Sequence, residues 1–237
     1  MQATLKSRIR GSVLAQALGD ALGAPFEFAP VDAVERRTGK KWLAGLYPFE
    51  GEKGPHGVWV DTAPVGTGTD DVRYNYLFME LAVELRRMPV GRELAQRLLD
   101  IYERPGDFFP NSEELVRGQF EMWEGASRGF LGEESPRYPG VPAAALATRS
   151  VGLNYPTMAG LLVLPSVGLL FPGDPEAAYR AAYEAAFFDI GYAREATALL
   201  AAAQSAALAG KAPEVVGVET LAMDPLQTDF PRMPPLP

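Results

Sequence analysis

Between residues 7 and 23, Ile9, Val13, Ala17 and Ala21 recur at every fourth position, and Leu14, Leu18 and Leu22 widen the stripe. That spacing gathers them on one face of a helix with 3.6 residues per turn. Gly11, Ala15, Gly19 and Gly23 form a second row at the same spacing. Glycine is about 1 kcal/mol worse than alanine inside a helix. Three of them in one helix therefore point to close approach by another helix or a ligand. Pro25 is expected to end the helix. A second strong pattern runs from 69 to 88, where Tyr74, Leu77, Phe78, Leu81 and Leu85 share a face and Thr69, Asp70 and Asp71 stand at the start. Arg86 and Arg87 near its end suit the helix dipole.

Further helices are expected near 31–38 and over 91–102, 112–125 and 143–148. A buried one is expected over 154–170, with Pro156 in its first turn and Pro165 kinking or ending it. The Ala-rich stretches 174–188 and 193–208 suit tight helix-on-helix packing. No segment shows the period-two alternation of a strand, and no internal repeat or dividing linker appears. The pattern predicts an all-α fold in one domain over 1–223, followed by a proline-rich tail, 224–237. Residues 26–68 are loop-rich apart from the short helix near 31–38. A connection this long without periodicity is usually functional.

Composition narrows the chemistry. The 237 residues include no cysteine and one histidine, and the net charge is −8. Without cysteine there are no disulfides, thiolate metal sites or cysteine nucleophiles. One histidine rules out a multi-histidine metal centre. His56 lies in a Gly/Pro-rich run without a nucleophile elbow beside it, and reads as a loop histidine. The acidic balance disfavours nucleic acid. The charged start, residues 1–10, has no apolar signal core, and the most apolar stretch, 158–171, is short for a bilayer and broken by Pro165. The expectation is a cytoplasmic protein that does not enter the membrane.

Two acidic features remain. Thr69-Asp70-Asp71 follows Gly66-Thr67-Gly68. A hard cation such as Mg2+ takes carboxylate, hydroxyl and water oxygens. The same residues also suit a helix N-terminus for capping and dipole reasons. In Gly19-Asp20-Ala21-Leu22-Gly23-Ala24-Pro25-Phe26-Glu27, two acids flank a helix end and a proline turn. Paired carboxylates suit acid/base work on a glycosidic bond. The alternative is a buried structural Asp20 and an exposed Glu27.

Taken together, Gly-Asp-Ala-Leu-Gly-Ala-Pro-x-Glu and the later Gly-x-x-Thr-Asp-Asp resemble the ADP-ribosylglycohydrolase family over about residues 8–210. The resemblance implies an all-α, compact orthogonal multi-helix bundle. It implies a hydrolase that cleaves an ADP-ribosyl or related ribosyl glycosidic bond with one or two Mg2+ (or Mn2+) ions. Its partners would be ADP-ribose or an ADP-ribosylated substrate. Thr69, Asp70 and Asp71 would be metal ligands, Glu27 the acid near the scissile bond, and Asp20 an organiser beside it. Ser150, Gly152, Asn154, Tyr155 and Asp189 would bind substrate, and Met158 fits the same loop as Asn154. Three departures stand out. Val72 replaces the usual Thr, the Arg of the Asn154 loop is missing, and Asp189-Ile190-Gly191-Tyr192 occupies a place where many members carry histidine. The family's late Asp-x-Asp-Thr has no counterpart, for the chain contains no Asp-x-Asp. Two alternatives follow: a short or C-terminally truncated member with a weakened site, or a site completed by other residues. A non-catalytic ADP-ribose-binding module is the rival function.

Overall fold

The computed structural model describes residues 3–27, 29–30, 32–50, 62–110, 113–148 and 157–227. They form eleven α-helices, two 3-10 turns and one pair of two-residue strands. The fold class is all-α. No described helix is long and apolar enough to cross a membrane. The chain divides into two units, Met1–Tyr74 and Asn75–Pro237.

The first unit opens with α1 (Leu5–Gly23). Thr4 caps it, its hydroxyl accepting the Ser7 N–H at 3.2 Å. Pro25 does not stop the chain abruptly; α1 runs into a 3-10 turn, Ala24–Phe26, that carries it. The expected apolar stripe of α1 is only partly covered. Ala21 is buried, whereas Leu14 is 66% and Leu18 52% exposed. Next come α2 (Ala33–Thr38) and the strands β1 (Phe49–Glu50) and β2 (Thr62–Ala63). The strands are antiparallel, with Phe49 opposite Ala63 and Glu50 opposite Thr62. Two residues are too few to show alternation, which is why no strand was readable here. Gly39 closes α2 with φ of 69°, a left-handed conformation that favours glycine.

The helix α3 (Asp70–Leu85) starts in the first unit and continues into the second. Its predicted face is buried at Tyr74, Leu77, Phe78 and Leu81, joined by Ala82. In the second unit, α4 (Gly91–Glu103) and α6 (Glu113–Leu131) pack together, with the short α5 (Pro105–Phe108) between them in sequence. Leu94, Leu98, Leu99, Phe120 and Trp123 make this core. The helix α6 runs past its expected end because its glycines serve packing. A Cβ on Gly125 would lie 2.7 Å from the Tyr138 ring, and one on Gly129 would lie 2.3 Å from the Ala147 backbone nitrogen in α7 (Ala143–Ala147).

The expected helix over 154–170 is observed as two pieces, α8 (Gly160–Val163) and a 3-10 turn, Val167–Leu170. Pro165 separates them, as a residue with no N–H and a bias against helix at the preceding position should. Residues 154–156 lie outside the described residues. The Ala-rich pair α9 (Pro175–Ala185) and α10 (Tyr192–Leu208) pack closely through buried Ala178, Ala182, Ala198, Ala201 and Ala202. Trp123 meets Phe188 edge to face at 4.9 Å between centroids. The last helix, α11 (Pro213–Leu221), packs on α10.

Candidate active site

The end of α1 and the start of α3 are tied by one carboxylate. Asp20 Oδ2 accepts the Thr69 N–H at 2.6 Å, and Asp20 Oδ1 accepts the Thr69 hydroxyl at 2.8 Å. Thr69 in turn caps α3: its carbonyl accepts the Arg73 N–H at 3.4 Å and its hydroxyl accepts the Asp71 N–H at 3.3 Å. Asp71 Oδ2 faces the same hydroxyl at 3.2 Å. A hydroxyl has one proton, so Asp20 and Asp71 compete for it and the closer Asp20 is better placed. Capping and acid clustering thus occur in the same residues.

Gly68 makes this approach feasible. A Cβ there would stand 2.9 Å from Asp20 Oδ2. The glycine before the acids is needed for closeness to Asp20, while the sharp turn falls at Gly66, with φ of 86°.

A hollow of ≈ 450 Å3 opens beside the tie, lined by Gln16, Gly19, Asp20, Gly23, Ala24, Glu27 and Asp71. Gly19 and Gly23 belong to its lining, and a Cβ on either would meet nothing within 4 Å. Gln16 was not singled out in the sequence, although it lies one helical turn before Asp20 and so on the same face.

The acids oppose one another's ionisation. Much of the Glu27 side chain meets solvent. Even so, partial burial pushes its carboxyl up, and the charges of Asp70, Asp71 and Asp20 push it further. Burial also raises Asp71, followed by Asp70 and Asp20. Burial raises Asp70, while its own N–H, Arg73 and Thr69 pull it back. Arg73, three residues beyond Asp70 on the same helix, is the second residue sequence reading passed over.

The donors here are all oxygens, which fits a hard divalent cation rather than a soft one. Among the described residues, however, no three acidic or histidine side chains converge as a ready metal site. Oxygens are available here from Thr69, Asp70 and Asp71, and also from Asp20 and Glu27.

Of the predicted substrate-binding residues, Ser150, Gly152, Asn154 and Tyr155 lie outside the described residues, as does His56. Asp189 is described, in the second unit, and is 2% exposed. Its carboxylate accepts the Gly160 N–H at 2.7 Å, the Ala159 N–H at 3.1 Å and the Thr157 hydroxyl at 3.3 Å. Burial outweighs these bonds and the nearby Arg194, and its pKa is pushed up to about 6. Met158 is exposed within the turn that Asp189 holds.

The sequence model of the ADP-ribosylglycohydrolase family matches residues 1–229. The chain belongs to this family. Curated proteins give no match, and neither do solved structures. The ADP-ribosylglycohydrolase assignment therefore rests on the family model, which takes in both the Asp20–Glu27 and the Thr69–Asp71 segments. The family is one of hydrolases acting on ADP-ribosylated substrates, typically with a metal, and it is all-α like this chain.

Proposed function

We propose that the chain is a metal-dependent hydrolase that cleaves an ADP-ribosyl or related ribosyl glycosidic bond. The observation that carries the reading is the hollow itself: Glu27 and Asp71 line it, and Asp20 ties Thr69 and the start of α3 to its wall. The charges of Asp70, Asp71 and Asp20 all oppose ionisation of the Glu27 carboxyl. Such a cluster is unfavourable alone and becomes favourable around a cation.

In this reading Thr69, Asp70 and Asp71 would hold Mg2+ or Mn2+, which when bound would supply positive charge to polarise a ribose hydroxyl or an attacking water. Asp20 fixes Thr69. Glu27, with its raised pKa, holds or accepts the proton exchanged at the scissile bond. The substrate-binding roles of Ser150, Gly152, Asn154, Tyr155 and Asp189 are carried by the family resemblance alone and form part of the proposal.

A second reading, a module that binds ADP-ribose without cleaving it, draws on the absence of any Asp-x-Asp from the sequence. Release of free ADP-ribose from an ADP-ribosylated protein, with Mg2+ present, separates the two. Turnover that is lost in Asp70→Ala and Glu27→Gln supports the hydrolase. Calorimetric binding of ADP-ribose with release no faster than buffer supports the module, and neither binding nor release sinks both.

A further inference from the structure

Arg36 and Arg37 both lie in the last turn of α2, where a positive charge suits the helix dipole. They behave differently. Arg36 pairs with Asp32 at the start of its own helix. Arg37 leaves its helix. Its guanidinium donates to the Pro25 carbonyl and, at 3.2 Å, to the Pro48 carbonyl. It also lies over the Phe26 ring, 4.5 Å from the centroid. Tyr47 closes on the same ring edge to face at 5.6 Å.

We propose that Arg37 is a positioning residue that clamps the Pro25–Phe26 turn and thereby fixes the direction of Glu27 at the acidic hollow. The proposal rests on the reading of Glu27 as the acid or base of the reaction. Glu27 follows Phe26 directly, and its own backbone is lightly held: its N–H donates to Ala24 at 3.3 Å. The following turn is closed by Ala29 N–H to the Phe26 carbonyl at 3.0 Å. One planar group therefore joins three pieces of chain around the residue before Glu27: the end of α2, the 3-10 turn and the approach to β1. A guanidinium can do this because its donors form a flat fork and its face stacks on an aromatic ring. A lysine reaches one carbonyl as a point charge and offers no face. Arg37 acts by position, through the two carbonyls it binds and the ring it covers.

The test uses the full chain with Arg37→Met and Arg37→Lys. In Arg37→Met, hydrogen exchange at the Glu27 and Ala29 amides should rise by about tenfold or more, with the middle of α1 unchanged. Turnover of an ADP-ribosylated protein should lose about tenfold in kcat while KM stays within about twofold. Millimolar guanidinium should restore both, and Arg37→Lys should fall between. Unchanged exchange at Glu27 and Ala29 would overturn the proposal. So would exchange that rises throughout α1 together with parallel changes in kcat and KM, which marks a general staple. Should Arg37→Met fail to fold, Arg37→Lys decides on the same readouts. Absence of turnover in the wild type would refute the hydrolase reading, and exchange with its guanidinium rescue would still decide whether Arg37 holds the turn.

Discussion

Replacing Asp189 by asparagine tests whether a buried acid here is held against its own ionisation. The carboxylate has three donors, Gly160 N–H, Ala159 N–H and Thr157 hydroxyl, yet its pKa stands at about 6 against an ordinary 3.8. Burial therefore exceeds what the hydrogen bonds return. The difference of about 2 pKa units corresponds to about 3 kcal/mol. The sign follows from proton linkage. The folded chain keeps this proton to a higher pH than the unfolded chain, so the associated stability is fully present below about pH 3.8. It is lost as pH rises through about 6, and is constant above that. Asparagine does not titrate, but its NH2 is donor-only and cannot accept the bond that one of the two Asp189 oxygens takes from a backbone N–H, so Asp189→Asn should start the less stable in urea unfolding near pH 3.5. As pH rises to 7 the gap should move in favour of Asp189→Asn by about 3 kcal/mol. Unfolding curves at half-unit steps with a constant m-value give the comparison directly. A gap that does not change with pH, or an asparagine variant less stable at pH 7 than at pH 3.5 relative to wild type, would refute the reasoning.

Other substitutions probe separate links. Gly129→Ala places a Cβ 2.3 Å from the Ala147 backbone nitrogen and 2.6 Å from Leu146. Urea unfolding should show a loss of about 3 kcal/mol, the upper end for overpacking, because backbone cannot swing aside. Asp20→Ala removes the acceptor for the Thr69 N–H and hydroxyl. It should lower stability by about 1–3 kcal/mol in the same assay and weaken Mg2+ binding measured by calorimetry. Asp70→Asn removes the largest neighbouring charge acting on Glu27. The Glu27 carboxyl, followed by carbon-13 NMR, should then titrate at lower pH than in wild type; an unchanged midpoint contradicts the coupling.

Much of the helix layout was legible: α3 from its apolar face, α9 and α10 from their Ala-rich stretches, and α4, all sit within a few residues of where they were expected. What failed has physical causes. The expected helix over 112–125 ends too early, at Gly125, because the packing of Gly125 against Tyr138 and of Gly129 against α7 is invisible until the partner is placed. In α11 the apolar residues spread around the helix, with Val215, Val218 and Leu221 exposed and only Val216 and Thr220 buried, so no face could be read. For the site, the residue types of Asp20, Glu27 and Thr69–Asp71 suggested oxygen chemistry. The contact between Asp20 and Thr69 spans 49 positions and has no local signature. Nothing in the short helix that carries Arg37 signals that its guanidinium reaches the Pro25 and Pro48 carbonyls.

The acids raise one last question, which is what the folded chain gains by gathering them. The start of α3 offers its dipole and free N–H groups to negative charge. That benefit suffices for one or two carboxylates, and Thr69 already takes part of it as the cap. It does not suffice for all, since Glu27, Asp70 and Asp71 are each raised. Each raised carboxyl makes stability fall as pH climbs through its folded-state pKa. A divalent cation bound among these oxygens would reverse the balance, favouring the charged forms. Mg2+ should therefore stabilise the chain little near pH 4 and progressively more toward pH 7. The gain would reach about 2.7 kcal/mol at one hundred times its dissociation constant. Thermal unfolding with and without Mg2+ across that range measures it, with Asp70→Asn as the control in which the gain shrinks. Stabilisation that is equal at every pH and indifferent to Asp70→Asn would place any bound Mg2+ elsewhere on this acidic surface and leave the cluster as a capped helix start whose repulsion the fold simply tolerates.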